Sequence, residues 1–101
     1  MVLVKANLQV IRTFRHKGLE RLFRWGEARG LRQDQVTRID RILTILDGAG
    51  IPEDLALPGL RLHPLRGHLV GRWSVTVSGN WRIVFSFDTG DVWDVDLVDY
   101  H

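Results

Sequence analysis

Five residues in the middle and at the end of the chain have side chains suited to breaking a phosphodiester bond: His63, Arg66, Arg82, Tyr100 and His101. Cleaving an RNA strand needs a base for the ribose 2′-hydroxyl proton, an acid for the departing 5′-oxygen, and cations facing the charge that builds on the phosphate. An imidazole, with an ordinary pKa of about 6.5, serves as base or acid near neutrality, whereas a guanidinium only donates. Each residue also has a plainer reading. His63 beside Pro64 could cap a turn, Arg82 could pair across a sheet with Asp94 or Asp96, and Tyr100 could be ordinary strand packing. His101 ends the chain, where fraying is usual.

Other chemistries find less support. There is no cysteine, so thiolate catalysis and disulfides are excluded. His63, His68, Asp99 and His101 could be imagined around a metal, but no HExxH or comparable ligand spacing accompanies them, and no metal is expected. Gly48-Ala-Gly50 follows a helical pattern instead of leading from a strand into a helix, and it lacks the lysine of a phosphate loop. His16 and His68 stand in turn-like surroundings and read as surface residues.

The elements that must position these groups follow from periodicity. Residues 8–14 are rich in β-branched and aromatic types and read as a first strand. From Lys17 the period becomes helical, with Leu19, Leu22, Phe23 and Gly26 on one face and Gly30 as the predicted cap. A second helix opens at Gln33 or Asp34, carries the stripe Val36, Ile39, Leu43 and Leu46, and stops at the Gly48 to Pro52 segment. Residues 51–60, with two prolines and a glycine, read as a loop.

Three alternating segments follow, in which Trp73, Val75 and Val77, then Trp81, Ile83, Phe85 and Phe87, then Trp93, Val95 and Leu97 share the apolar face. Three-residue loops at Ser78-Gly79-Asn80 and Thr89-Gly90-Asp91 would keep that face continuous, pairing Val77 with Trp81, Val75 with Ile83, Phe87 with Trp93 and Phe85 with Val95. The predicted architecture is α+β: β-α-α followed by an antiparallel meander, two helices on one sheet face and the other face open. Parity puts Ser74, Thr76, Arg82, Val84, Ser86, Asp94, Asp96, Val98 and Tyr100 on the open face. The tryptophans, Trp25 included, read as core and not as stacking platforms for bases.

Length and charge narrow the partner. With 101 residues the chain is one domain long, residues 1–101. No apolar run approaches the roughly 18 residues that a spanning helix needs, so no membrane is expected and the cytoplasm is the default location. Residues 1–46 carry ten basic side chains against four acidic, while residues 83–101 carry five acidic and no basic ones. Twelve of the fourteen basic residues are arginine, the side chain best matched to phosphate and to stacking on bases, which favours a polyanionic partner. Pairing of the basic half with the acidic end is the competing account.

Several ordered motifs carry a more specific signal. Arg15-His-Lys-Gly-Leu19, Leu57-Pro-Gly-Leu-Arg-Leu-His-Pro-Leu-Arg-Gly67, Gly71-Arg-Trp-Ser74, Gly79-Asn-Trp-Arg-Ile83 and Asp99-Tyr-His101 together resemble the HigB toxins of the RelE/ParE superfamily of bacterial type II toxin–antitoxin systems. The resemblance runs from about Val10 to the last residue, leaving residues 1–9 as a possible extension. It implies a RelE-like domain that cuts messenger RNA in the ribosomal A site, without metal or cofactor. It also implies a helix-turn-helix antitoxin of the HigA type as neutralising partner, and operator DNA only through the complex of the two.

Carried over by position, the family's active-site histidine falls on His63, its nearby lysine on Arg66, its sheet arginine on Arg82, and its terminal pair on Tyr100 and His101. Arg61, Arg72 and Asp99, in the same motifs, are expected to contact substrate. Arg66 where the family commonly has lysine keeps the charge but not a titratable proton at neutral pH. Two other functions compete: a ParE-like inhibitor of DNA gyrase, which would not need the ribonuclease set, and a non-catalytic corepressor acting through the antitoxin.

Overall fold

The computed structural model describes residues 9–69 and 71–100. Two α-helices, α1 (Lys17–Trp25) and α2 (Val36–Asp47), precede four strands, β1 (His63–Pro64), β2 (Arg72–Ser78), β3 (Trp81–Asp88) and β4 (Asp91–Asp99), in an antiparallel sheet of order β1-β2-β3-β4. This is the α+β arrangement expected. Leu19, Leu22, Ile39, Ile42, Leu43 and Leu46 from the helices close over Val75, Ile83, Phe85, Val92 and Val95 on one side of the sheet. Fully burying each aliphatic side chain contributes about 1.5–3 kcal/mol before entropy is counted, so this layer is the main source of stability.

The first helix is shorter than its periodicity suggests. It ends at Trp25, because Gly26 takes the left-handed conformation (φ 69°) and the amides of Gly26 and Glu27 turn back to the carbonyls of Leu22 and Arg21. Gly26 is therefore the cap, not Gly30, and Trp25 lies at the helix end 66% exposed instead of in the core. At the other end His16 is more than a surface residue: its Nδ1 accepts the Leu19 amide at 3.2 Å and caps the helix. The second helix is entered through a 3-10 turn at Gln33–Gln35, as the sequence indicates, and its stripe is buried at Ile39, Ile42, Leu43 and Leu46.

The expected first strand, whose residue 8 lies outside the described residues, forms no continuous ladder: among the described residues its backbone pairs with β4 at two isolated parallel bridges, Ile11 with Val92 and Phe14 with Val95. Between them the ladder is interrupted by Asp94, whose φ of 57° breaks the pleat of β4. The amides of Val10 and Ile11 go instead to the Asp47 carboxylate at the end of α2, both at 3.0 Å. Phe14 packs on Phe23 of α1, with ring centroids 5.5 Å apart.

Both hairpins differ from the expected register. β2 and β3 are joined by the two residues Gly79-Asn80, with Ser78 opposite Trp81 and an irregularity at Val77, although Val75 does face Ile83. β3 and β4 are joined by Thr89-Gly90, both at positive φ as a two-residue turn of this hand demands, which puts Phe87 opposite Val92 and Ser86 opposite Trp93. One extra residue, Asp94, then restores the alternation, so that Val92 and Val95 both point inward and Trp93 points outward, 37% exposed. Trp73 and Trp81 pack against the core as expected; Trp93 does not.

Candidate active site

The face of the sheet opposite the helices is crossed by three rows of paired residues. One row holds Arg72, Ser86 and Trp93; the next holds His63, Ser74, Val84 and Asp96; the third holds Thr76, Arg82 and Val98. Tyr100 follows at the end of this face, two residues beyond Val98, and its amide bonds to the Asn80 carbonyl at 2.9 Å. His63 enters this face through β1, a two-residue strand that periodicity alone does not reveal.

That strand is held from behind. The Leu60 carbonyl accepts the Thr76 amide at 2.7 Å, and Arg38 of α2 bonds to the carbonyls of Gly59 (2.8 Å) and Thr76 (3.0 Å), tying the preceding loop to β2. The Leu65 amide returns to the Arg72 carbonyl at 2.9 Å. His63 and Arg66 are exposed and line, with Leu62, Pro64 and Leu65, an open groove of about 380 Å³.

Arg82, two strands from His63 and one row along, bends toward the β2–β3 turn and donates to the carbonyls of Gly79 (2.7 Å) and Trp81 (3.2 Å). It does not pair with Asp94 or Asp96; its cross-strand neighbours are Thr76 and Val98. The turn thus gathers Arg82 and Tyr100 at one end of the face, with Asp99 opposite Trp81 beside them. Arg61 is exposed in the loop before β1, in a left-handed conformation (φ 52°). His101 lies outside the described residues.

The row of Ser86 and Trp93, at the other end of the face from Arg82, is held by Arg72. Its side chain is only 12% exposed and spans from β2 to β4, donating to Ser86 Oγ at 2.9 Å and to the Asp94 carbonyl at 3.0 Å. Burial first, and then the neighbouring Arg15, lower the guanidinium's pKa below its ordinary value, against the opposite pull of Asp94, Asp96 and Tyr100. The group stays charged at neutral pH. Two hydrogen bonds fix this desolvated cation as part of the floor of the face.

Asp94 organises this floor. Its Oδ1 accepts from Thr13 Oγ1 (3.2 Å), its amide donates to that same hydroxyl (2.8 Å), and Arg15 and Arg72 both stand 3.9 Å from its Oδ2. Neither Asp94 in this role nor the outward turn of Trp93 follows from strict alternation. A signal existed in Val92 and Val95, two apolar residues three apart around an aspartate, a residue type that tolerates left-handed backbone. Among the described residues no group of three or more histidine, aspartate or glutamate side chains is placed to hold a metal ion.

Chemically, the face and the groove at its edge offer an exposed imidazole, an exposed guanidinium, a second guanidinium bent to a turn, a phenol, and a largely buried third guanidinium. Known proteins point the same way. The family model described as the RelE-like toxin of type II toxin–antitoxin system HigB matches residues 12–101. The chain is also similar to the endoribonuclease HigB of Proteus vulgaris, 41% identical over 92 residues that cover 91% of this chain and all of that protein. On this match, which takes in β1 to β4 and every described residue of the open face, the chain belongs to the HigB-like toxins, RelE-like toxins of type II toxin–antitoxin systems.

Proposed function

We propose that this toxin is an endoribonuclease that cuts messenger RNA in the A site of translating ribosomes, working in the cytoplasm. The observation that carries the reading is the placement of His63, Arg82 and Tyr100 on one open sheet face, with Arg72 fixed in the row next to that of His63. The name of the Proteus vulgaris relative supports the reaction type. The reading as a gyrase inhibitor would leave this set of residues without a purpose.

In the proposed reaction the ribose 2′-oxygen attacks the adjacent phosphorus and the bond to the 5′-oxygen breaks, leaving a cyclic phosphate and a 5′-hydroxyl. His63 and His101 share the proton transfers, one accepting from the 2′-hydroxyl and the other supplying the leaving oxygen. Arg66 and Arg82 hold the phosphate and meet the charge that grows on its oxygens, which requires Arg82 to exchange a turn carbonyl for phosphate. Tyr100 stacks on or orients the nucleotide. A helix-turn-helix antitoxin of the HigA type neutralises the toxin, and operator DNA is reached only through that complex.

Induced expression tests this: growth should stop and transcripts should be cut on translating ribosomes. Arg82→Ala and deletion of His101 should each abolish cleavage with little change in stability, since among the described residues Arg82 is bonded only to the carbonyls of Gly79 and Trp81. Gyrase-dependent DNA breaks with intact transcripts would refute the proposal, and full cleavage by either variant would refute the site.

A further inference from the structure

The basic side chains of this protein are mostly spoken for. Arg12, Arg15, Arg24, Arg29, Arg32 and Arg72 stand within 4.0 Å of carboxylates, and Arg21, Arg38 and Arg82 donate to backbone carbonyls. Among the described residues this leaves Lys17, Arg41, Arg61 and Arg66 without a hydrogen bond or ion pair, all of them exposed. Two of the four, Arg61 and Arg66, flank His63. A phosphate meeting an arginine that is already paired must first displace a carboxylate; one meeting Arg61 or Arg66 displaces only water.

Arg61 is distinctive in a second way. Three described residues other than glycine have a positive φ: Arg61, Thr89 and Asp94. Thr89 is one of the two residues of the β3–β4 turn, and Asp94 is held by its bonds to Thr13. Arg61 has neither reason. Its neighbour Leu60 is buried and bonded to Thr76, His63 opens β1, and the chain turns between them at a position that glycine would occupy with less strain. An arginine kept in a strained conformation, with a solvated and unpaired head, points to a role for the head itself.

The groove at His63 is lined from Leu62 to Arg66, so Arg61 stands just outside it. We infer that Arg61 binds a backbone phosphate of the substrate strand next to the one being cleaved, so that the toxin grips at least two consecutive phosphates of single-stranded RNA. This rests on the endoribonuclease reading for its substrate, but it concerns binding and not bond breaking. Arg66 and Arg82 hold the reacting phosphate; Arg61 sets the register of the strand across the groove.

The test uses the whole protein and a short fluorescent single-stranded RNA in which every 2′-oxygen is methylated, so that it cannot be cut. Affinity is read by anisotropy over a range of salt. Each phosphate contact to a single strand contributes about 0.7 to the slope of log K against log salt, so Arg61→Gly should flatten the slope by about that much. Arg61→Lys should largely restore it. Lys17→Ala, at the start of α1 by the opposite edge of the sheet, should leave it unchanged. Thermal stability of Arg61→Gly should equal or exceed that of the parent, because glycine relieves the left-handed strain.

An unchanged slope in Arg61→Gly, or no measurable binding of the methylated strand by the parent, would overturn the inference. So would a loss confined to binding of purified ribosomes, which would assign Arg61 to ribosomal RNA, or a loss of binding that only tracks a loss of fold. Failure of the toxin to cut transcripts while the slope effect persists would instead count against the catalytic reading and leave the role of Arg61 standing.

Discussion

Replacing Asp94 separates the three jobs that one residue does in this fold. In Asp94→Ala the backbone must keep φ near 57° with a side chain that has no polar group to favour it, at a cost of about 1 kcal/mol. The bond from Thr13 at 3.2 Å is lost, costing about 1 kcal/mol more. Arg72, 12% exposed, loses its nearby carboxylate while keeping its bonds to Ser86 and to the residue 94 carbonyl, which adds up to about 1 kcal/mol. Together these give roughly 2–3 kcal/mol. At about 4–8 °C per kcal/mol for a domain of this size, the melting temperature should fall by roughly 10–20 °C.

Asp94→Asn tolerates the same backbone and can keep the Thr13 bond, losing only the charge toward two guanidiniums at 3.9 Å. For contacts this long and partly solvated the cost should be about 0.5 kcal/mol, a shift of a few degrees. Asp94→Gly relieves the backbone but keeps neither bond nor charge, and should fall between the two. Scanning calorimetry of the three variants in the Arg82→Ala background, chosen to limit toxicity, measures the series. Asn and Ala variants that melt together would show that neither backbone strain nor the Thr13 bond matters, and the account of the bulge would fail.

Two further outcomes follow from the helix ends. Gly26→Ala meets no steric neighbour but must hold a φ of 69°, so it should destabilise by about 1 kcal/mol, whereas Gly48→Ala, at φ −106°, should be neutral or stabilising in the same urea titration. Asp47→Ala removes a carboxylate that two backbone amides share, and should cost about 1.5–3 kcal/mol in the same titration and speed hydrogen exchange at Ile11.

Much of this architecture is legible in the sequence. The helices show themselves through Leu19 and Leu22 and through Ile39, Leu43 and Leu46, and the inner face of β2 and β3 through Val75, Ile83 and Phe85, because apolar periodicity reports burial directly. The motifs around His63, Arg82 and Tyr100 were enough to name the family, and alternation was enough to place Arg82 and Tyr100 on a common side.

What only the tertiary structure decided is what local pattern does not encode. Alternation assumes an unbroken pleat, so it could not place Trp93, which one left-handed aspartate turns from the core to the surface. Nor could it find β1, a strand of two residues that exists because Leu60 and Arg38 pin the preceding loop to β2. The partners of Arg72 and Asp94 lie on segments distant in sequence and meet only when the sheet is assembled. The residue types determined which chemistry the face could carry; closure of the sheet around a desolvated arginine determined where, since a cation is withdrawn from water only where distant strands supply its bonds.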